Sequence, residues 1–150
     1  MAHQELPQDF KEFLRLLTDH EVEYLLIGGY AVGYYGYPRT TADIDVWVAL
    51  DEENATKLVR VLADFGMSSN EVTPELFLKP GNIVRMGLPP VRIEVLNEID
   101  GVEFSECARR GERATIDDVR VRLISLRDLR ANKRASGRYK DLDDLEHLPE

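Results

Sequence analysis

Cysteine, histidine and basic residues are scarce in this sequence. Its 150 residues contain one cysteine, three histidines, and 19 lysines and arginines against 28 aspartates and glutamates. The lone Cys107 excludes an internal disulfide framework and a zinc site built from cysteines. The formal net charge of -9 argues against nucleic-acid binding over the whole surface, but it allows a local basic groove.

Long apolar runs are absent as well. No segment has the ~20 consecutive apolar residues of a membrane-spanning helix. The start, MAHQELPQDF, lacks the basic and apolar regions of a signal peptide. With 43% apolar and 31% charged residues, the composition is that of a soluble globular protein. We therefore expect a cytoplasmic protein with no membrane segment, forming one domain over residues 1–150.

Hydrophobic spacing switches repeatedly between the helical and the strand period. It predicts helices at 9–19, 52–65, 125–135 and near the C-terminus, and strands at 23–27, 43–50, 82–88, 91–99 and 119–124. The two strands on either side of Pro89-Pro90 should pair through a tight turn, and the stretch up to about residue 118 should be less regular. The order indicates an α/β (α+β) fold, a mixed sheet flanked by helices. We expect its core at about 22–100 and a helical segment at about 125–148.

Acidic side chains open one predicted strand and interrupt another. Asp43 and Asp45 lie on one face of the strand DIDVWV, about 6.5–7 Å apart along it. Glu94 lies within RIEVL and points away from the apolar residues beside it. A carboxylate within an apolar strand is costly without a partner. Three such carboxylates can converge on one or two divalent cations, and their hard oxygens favour Mg²⁺ or Mn²⁺.

Simpler interpretations exist for each feature alone. An Asp-x-Asp is commonly a solvated strand edge, and a double glycine is commonly a tight turn. Other phosphate and metal motifs fit poorly: the chain has no Gly-Lys-Ser/Thr, its glycines do not match G-x-G-x-x-G, and Trp47 occupies a position where an EF-hand needs an oxygen ligand. The combination of features is what favours a functional site.

Gly28-Gly29, then RTTADIDVWV, then RIEVL resemble the DNA polymerase β-type nucleotidyltransferase superfamily. The resemblance is to its small bacterial branch, which includes abortive-infection and toxin-antitoxin nucleotidyltransferases and lincosamide and aminoglycoside nucleotidyltransferases. The ending NKRASGRYKDLDDLEHL is similar to the tail of that branch, where a lysine-bearing helix precedes a Lys-Asp pair. The resemblance covers about residues 22–148 and implies a nucleotidyltransferase-like fold.

The resemblance also implies roles for individual residues. Asp43 and Asp45 would ligate both metal ions, and Glu94 the ion nearer the acceptor hydroxyl. Gly28 and Gly29 would let backbone N–H groups approach the phosphates. Two positions depart from the family pattern: Tyr30 replaces a phosphate-binding serine, and Glu94 replaces an aspartate.

Basic residues concentrate near the C-terminus. Between 127 and 140 lie six basic residues against one acid, Asp128. They form either a solvated helix face or a cationic wall for a triphosphate. We expect the nucleotide-binding set to include Lys133 together with Arg39 and Thr41 from the segment before Asp43.

These features predict a metal-dependent nucleotidyltransferase. It would move a nucleoside monophosphate from a nucleoside triphosphate to a hydroxyl of an unidentified acceptor, which could be tRNA, a protein or an antibiotic-like small molecule. A homodimer or an antitoxin-like partner would help to shape an acceptor site in so short a chain. The alternative is a non-catalytic nucleotide- or metal-binding module of the same fold, or a partner subunit. A metal-dependent nuclease is disfavoured by the glycine pair.

Overall fold

A computed structural model describes residues 4–37, 43–87 and 91–150. These residues contain seven helices and six strands. The helices are α1 Gln8–Asp19, α2 Gly28–Tyr34, α3 Glu52–Asp64, α4 Glu75–Leu78, α5 Phe104–Arg110, α6 Leu126–Ser136 and α7 Tyr139–His147. The strands are β1 Tyr24–Ile27, β2 Asp43–Val48, β3 Ile83–Met86, β4 Arg92–Leu96, β5 Glu112–Ile116 and β6 Val119–Leu123.

The six strands form one mixed sheet in the order β3-β4-β2-β1-β6-β5. The pairs β2–β4 and β1–β6 are parallel, whereas β1–β2, β3–β4 and β5–β6 are antiparallel. This confirms the predicted α+β fold with a mixed sheet. The strands β2 and β1 lie in the centre. Because they are antiparallel, the end of β1 and the start of β2 share one end of the sheet.

Strand alternation decides which face of β2 enters the core. Ile44, Val46 and Val48 are fully buried, whereas Asp43 and Asp45 on the other face keep partial exposure. On that second face, the Trp47 ring meets the edge of Phe104 from α5, with ring centroids 5.2 Å apart. An aromatic pair of this kind stabilises the fold by about 0.5–1.5 kcal/mol beyond the contribution of the buried area. α5 thereby covers the part of this face next to the carboxylates.

Local sequence signals set the ends of the main helices. Asp51 accepts a hydrogen bond from the Asn54 N–H at the start of α3, and Ser125 accepts one from Asp128 N–H at the start of α6. α6 ends at Gly137, which has a left-handed φ of 66°. Ser125 and Gly137 therefore bound α6.

The stretch predicted to be less regular contains a helix and a strand, α5 and β5. β5 forms the sheet edge and pairs only with β6 within the described chain. Its sequence, ERATI, is short and two of its five residues are charged, so its strand character depends on that pairing more than on local propensity. α4 was likewise not predicted. The expected turn at Pro89-Pro90 lies outside the described residues.

Within the described ranges, no helix has the length and apolar character needed to cross a membrane.

The Ser125 cap provides a test of how α6 is held. The Ser125 hydroxyl accepts from Asp128 N–H at 3.1 Å and donates to Asp128 Oδ2 at 2.9 Å. We expect Ser125→Ala to lower the free energy of unfolding by about 1 kcal/mol, because one helix-end N–H loses its partner. Urea denaturation measures the change. Ser105→Ala, an exposed position on α5, should change stability by less than about 0.5 kcal/mol; equal effects would contradict the capping role.

Candidate active site

The parallel pairing of β2 with β4 brings the predicted carboxylates to one place. In this register Asp45 lies directly opposite Glu94, and Asp43 lies opposite Arg92. Residues directly opposite in a sheet share a face, so Asp43, Asp45 and Glu94 project on the same side. Two residues separated by almost 50 positions in the chain thus meet as neighbours.

These carboxylates line a cavity of about 530 Å³. Of the predicted site residues in the described ranges, all six line it: Gly28, Gly29, Asp43, Asp45, Glu94 and Lys133. Arg39 and Thr41 lie outside the described residues. Arg85, Arg138 and Lys140 add positive charge to the lining, which also includes the acids Glu98, Asp100 and Asp141.

Asp45 is the most perturbed acid of the cavity. Burial, the charge of Glu94, a hydrogen bond with Glu94 and the charge of Asp43 raise the pKa of Asp45 to about 7, against an opposing effect of Lys140. Neighbouring carboxylates disfavour the ionised form of an acid, and a nearby cation favours that form again. The electrostatics therefore fit a site that a positively charged group completes.

Two of the three carboxylates have arginines beside them. Arg85 Nε donates to Glu94 Oε1 at 3.1 Å, across the β3–β4 pair. Arg92 Nε lies 3.9 Å from Asp43 Oδ1, a charge contact too long for a hydrogen bond.

Over the described part of the chain, no group of three or more His, Cys, Asp or Glu side chains is arranged to hold a metal ion. The oxygen donors have the chemistry that Mg²⁺ or Mn²⁺ prefers. Arg85 contacts one of the two Glu94 carboxylate oxygens, Oε1.

Gly28 is required by the position of Asp45. Its φ of +72° is left-handed, and a Cβ at this position would overlap Asp45 Oδ2. Gly28 also begins α2 directly after β1, so the first N–H groups of this helix have no partner within it. The double glycine therefore lies directly against a carboxylate at the cavity wall.

Lys133 is held by two buried acids of α7. Its Nζ donates to Asp141 Oδ1 at 3.1 Å and lies 3.1 Å from Asp144 Oδ2. Asp141 also accepts from Ser136 Oγ at 2.7 Å and from Arg138 Nε at 2.8 Å. Lys133 thus lines the cavity as a fixed, partnered cation, while Arg138 extends from the same network with a side chain that is 74% exposed.

The basic segment at 127–140 divides between several roles. Only Lys133, Arg138 and Lys140 of its six basic residues line the cavity. Arg130 donates to main-chain carbonyls near the C-terminus, among them Leu145 O at 3.3 Å. A cationic wall and a structural helix face are therefore both present.

Sequence reasoning missed Arg85 as a partner of Glu94 and gave no individual role to Arg138 or Lys140. Arg85 became a candidate only through the register of β3 on β4. Arg138 could have been found, because it lies three residues before Asp141 at the start of a predicted helix.

A family model for nucleotidyl transferases of unknown function (DUF2204) matches residues 7–150. This chain belongs to that family. The match extends over nearly the whole length, so the carboxylate cavity and the α6–α7 network both lie within the family's domain. Comparison with curated proteins gives no significant match.

Solved structures of this fold include several nucleotidyltransferases. A proposed nucleotidyltransferase from Thermotoga maritima superposes with a TM-score of 0.64 at 16% identity, covering 97% of this chain and 94% of its own. The lincosamide antibiotic adenylyltransferase LnuA, bound to lincomycin, superposes with a TM-score of 0.58 at 15% identity, covering 95% of this chain and 96% of its own. The antibiotic-resistance factor ANT(2'')-Ia superposes with a TM-score of 0.60 at 13% identity, covering 92% of this chain and 79% of its own. At these identities the likeness shows the nucleotidyltransferase-like fold.

Gly28→Ala tests the contact between Gly28 and Asp45. We expect it to destabilise the protein more than Gly66→Ala, because both positions have a positive φ but only Gly28 has Asp45 in the space of the new Cβ. The shared backbone term is about 1–2 kcal/mol. Urea denaturation of the two variants gives the difference, and a Gly28→Ala cost no larger than that of Gly66→Ala would contradict the contact.

Asp141 should make stability depend on acid pH. Burial works to raise the pKa of Asp141, but hydrogen bonds from Arg138, Ser136 and Lys133 outweigh it and hold the pKa well below its usual value. A lowered folded-state pKa contributes stability above the unfolded pKa of about 3.9, and this contribution is lost as pH falls through the folded value.

We therefore expect Asp141→Asn to cost about 3 kcal/mol at pH 7, since it leaves a buried cation with one partner fewer. The difference from the unmodified protein should shrink below pH 4. Unfolding free energies at pH 7, 4 and 3 measure it, with the exposed Glu146→Gln on the same helix as control. A difference that stays constant with pH would show that ionisation of Asp141 does not contribute.

Proposed function

We propose that this protein transfers a nucleoside monophosphate from a nucleoside triphosphate to an acceptor hydroxyl, with release of pyrophosphate. The observation that carries the proposal is the cavity in which Asp45 and Glu94 meet in register beside Gly28. Membership in a nucleotidyl transferase family and the fold of antibiotic-modifying adenylyltransferases support the same reaction class.

In this proposal Asp43, Asp45 and Glu94 hold Mg²⁺ or Mn²⁺. Bound there, the ions would neutralise the triphosphate, lower the pKa of the attacking hydroxyl and stabilise the leaving group. The raised pKa of Asp45 supports this assignment, because three crowded carboxylates gain most from a cation.

The triphosphate itself would be held by the glycine pair and by the cationic side chains of the cavity. Backbone N–H groups at Gly28 and Gly29 would donate to phosphate oxygens. Arg138 and Lys140 line this cavity and provide positive charge, and Lys133 adds the charge of a fixed ammonium group. Arg39 and Thr41 stay predicted contributors.

The acceptor is assigned only as a hydroxyl compound. LnuA was solved with lincomycin, and the ANT(2'')-Ia factor confers antibiotic resistance, so small molecules of that kind belong among the candidates. A tRNA end and a protein side chain are the others. A homodimer or antitoxin-like partner and a cytoplasmic location complete the proposal. A non-catalytic nucleotide-binding module is the alternative that the test must separate.

The first test is nucleotide binding. Calorimetry with ATP, GTP, CTP and UTP, with and without Mg²⁺, should show Mg²⁺-dependent binding by the unmodified protein. Asp43→Asn/Asp45→Asn should weaken it by at least about tenfold, since a metal-bridged phosphate contact is worth several kcal/mol. Asp9→Asn/Asp19→Asn, which removes two exposed carboxylates of α1, should leave binding unchanged.

Transfer of label from α-³²P nucleotides to RNA, protein or small-molecule pools then separates enzyme from binding module. Label transfer that the Asp43→Asn/Asp45→Asn variant loses supports the transferase. Binding without transfer to any pool would favour the module. No binding at millimolar nucleotide by the folded protein would overturn both.

A further inference from the structure

The β5–β6 hairpin concentrates positive charge on one face. Its register places Arg113 opposite Arg122 and Thr115 opposite Arg120. Because directly opposite residues share a face, these four side chains project together, while the alternate residues of both strands are buried: Ala114, Ile116, Val119 and Val121. We call Arg113, Arg120 and Arg122 the hairpin arginines.

The hairpin arginines have no acidic partners. Arg113 and Arg120 are exposed, and Arg122 donates from Nη2 to Ala108 O at 3.0 Å. Across the described ranges, no carboxylate lies within ion-pair distance of any of the three. Like charges directly opposite in a sheet lower stability, and Arg113 lies directly opposite Arg122. In a chain of net charge -9, such a cluster indicates an anionic ligand.

An exposed aromatic side chain lines a cavity that these arginines also line. A cavity of about 630 Å³ is lined by all three hairpin arginines and by Tyr34, which is 41% exposed. No carboxylate of the described residues lines it. The Tyr34 ring packs edge-on against Tyr35, whose hydroxyl donates to Ile124 O at 2.6 Å. Tyr34 is thus an aromatic platform on a fixed support.

A neighbouring cavity bounds the positive surface. It continues from Arg113 and Arg122 to Arg109 of α5, which adds a fourth arginine, and it ends at acidic residues: Glu21, Glu23 and Asp51. The surface is therefore a limited patch and not a basic face of the whole protein.

The strand register also relates the patch to the carboxylate cavity. Ile27 pairs with Asp45, and Leu26 pairs with Leu123, so Arg122 lies on the face of the sheet that carries Asp45. β5 is three strands from β2, about 14 Å across the sheet. The patch and the carboxylate cavity therefore share one face of the sheet, on which α5 also packs.

We propose that the hairpin arginines and Tyr34 bind single-stranded nucleic acid. Unpaired guanidinium groups with an exposed aromatic ring are the combination that holds a phosphate backbone and stacks a base. An acidic protein segment would use the arginines but not the ring. This proposal concerns binding alone and does not depend on catalysis at the carboxylate cavity.

Fluorescence anisotropy of labelled twelve-nucleotide oligo-U and oligo-dT over a salt series tests the proposal. We expect Arg113→Gln/Arg120→Gln to weaken binding at least about tenfold and to reduce the slope of log K against log salt by about 1.4, since each single-strand phosphate contact contributes about 0.7. Tyr34→Ala should weaken binding by about fivefold or more with an unchanged slope.

The matched control is Arg60→Ala/Lys79→Ala, which also removes two exposed positive charges, neither of which lines either cavity. It should bind like the unmodified protein. Asp45→Asn should also keep binding, which separates this proposal from the nucleotidyltransferase proposal. Should the double arginine variant misfold by circular dichroism, Arg120→Gln alone should reduce the salt slope by about 0.7.

Three results would overturn the proposal. They are absence of binding to either oligonucleotide at low salt, equal loss in the control variant, and equally tight binding of a poly-glutamate peptide of matched charge with no effect of Tyr34→Ala. The last would assign the patch to an acidic protein.

Discussion

The candidate site depends on one constraint, the parallel register of β2 on β4. Backbone hydrogen bonding fixes this register along the sheet, and with it the meeting of Asp45 and Glu94. A slip by one residue would turn one of the carboxylates to the buried face, because side chains alternate along a strand. The fully buried Ile44 and Ile93 on the other face resist such a slip. Apolar packing on one face of the sheet therefore sets the acid geometry on the other.

That geometry conflicts with stability of the free protein. Bringing the acids together at a partly buried strand end raises the pKa of Asp45 to about 7, so the ionised form is disfavoured at this position. The fold offsets the repulsion with cations from other elements, Arg85 from β3 and Lys140 from α7. Such local conflicts occur where a site is built to bind a charged partner. The absence of a Cβ at Gly28 removes a second conflict, a steric one.

The positions of the basic side chains matter more to this protein than its total charge. The chain has a net charge of -9, yet Lys133, Arg138 and Lys140 reach the carboxylate cavity, and the hairpin arginines form a patch on the same sheet face. The buried Lys133 is stabilised by Asp141 and Asp144, which makes it part of the α6–α7 junction. The basic segment at 127–140 therefore joins α6 to α7 and also faces the cavity, and Lys133 takes part in both.

The sequence alone predicted the mixed sheet, the main helices and the acids that share a cavity, because hydrophobic period, caps and turn residues are local signals. Asp43 and Asp45 could be placed on one face from spacing, and Glu94 from its apolar neighbours. Tertiary structure decided which side chains meet: Arg85 contacts Glu94, and Asp141 and Asp144 contact Lys133. It also placed Arg122 on the sheet face that carries Asp45. Each follows from strand register or helix packing across long sequence separations, which no local pattern encodes. For the same reason β5, whose strand character depends on β6, became visible only in the folded chain.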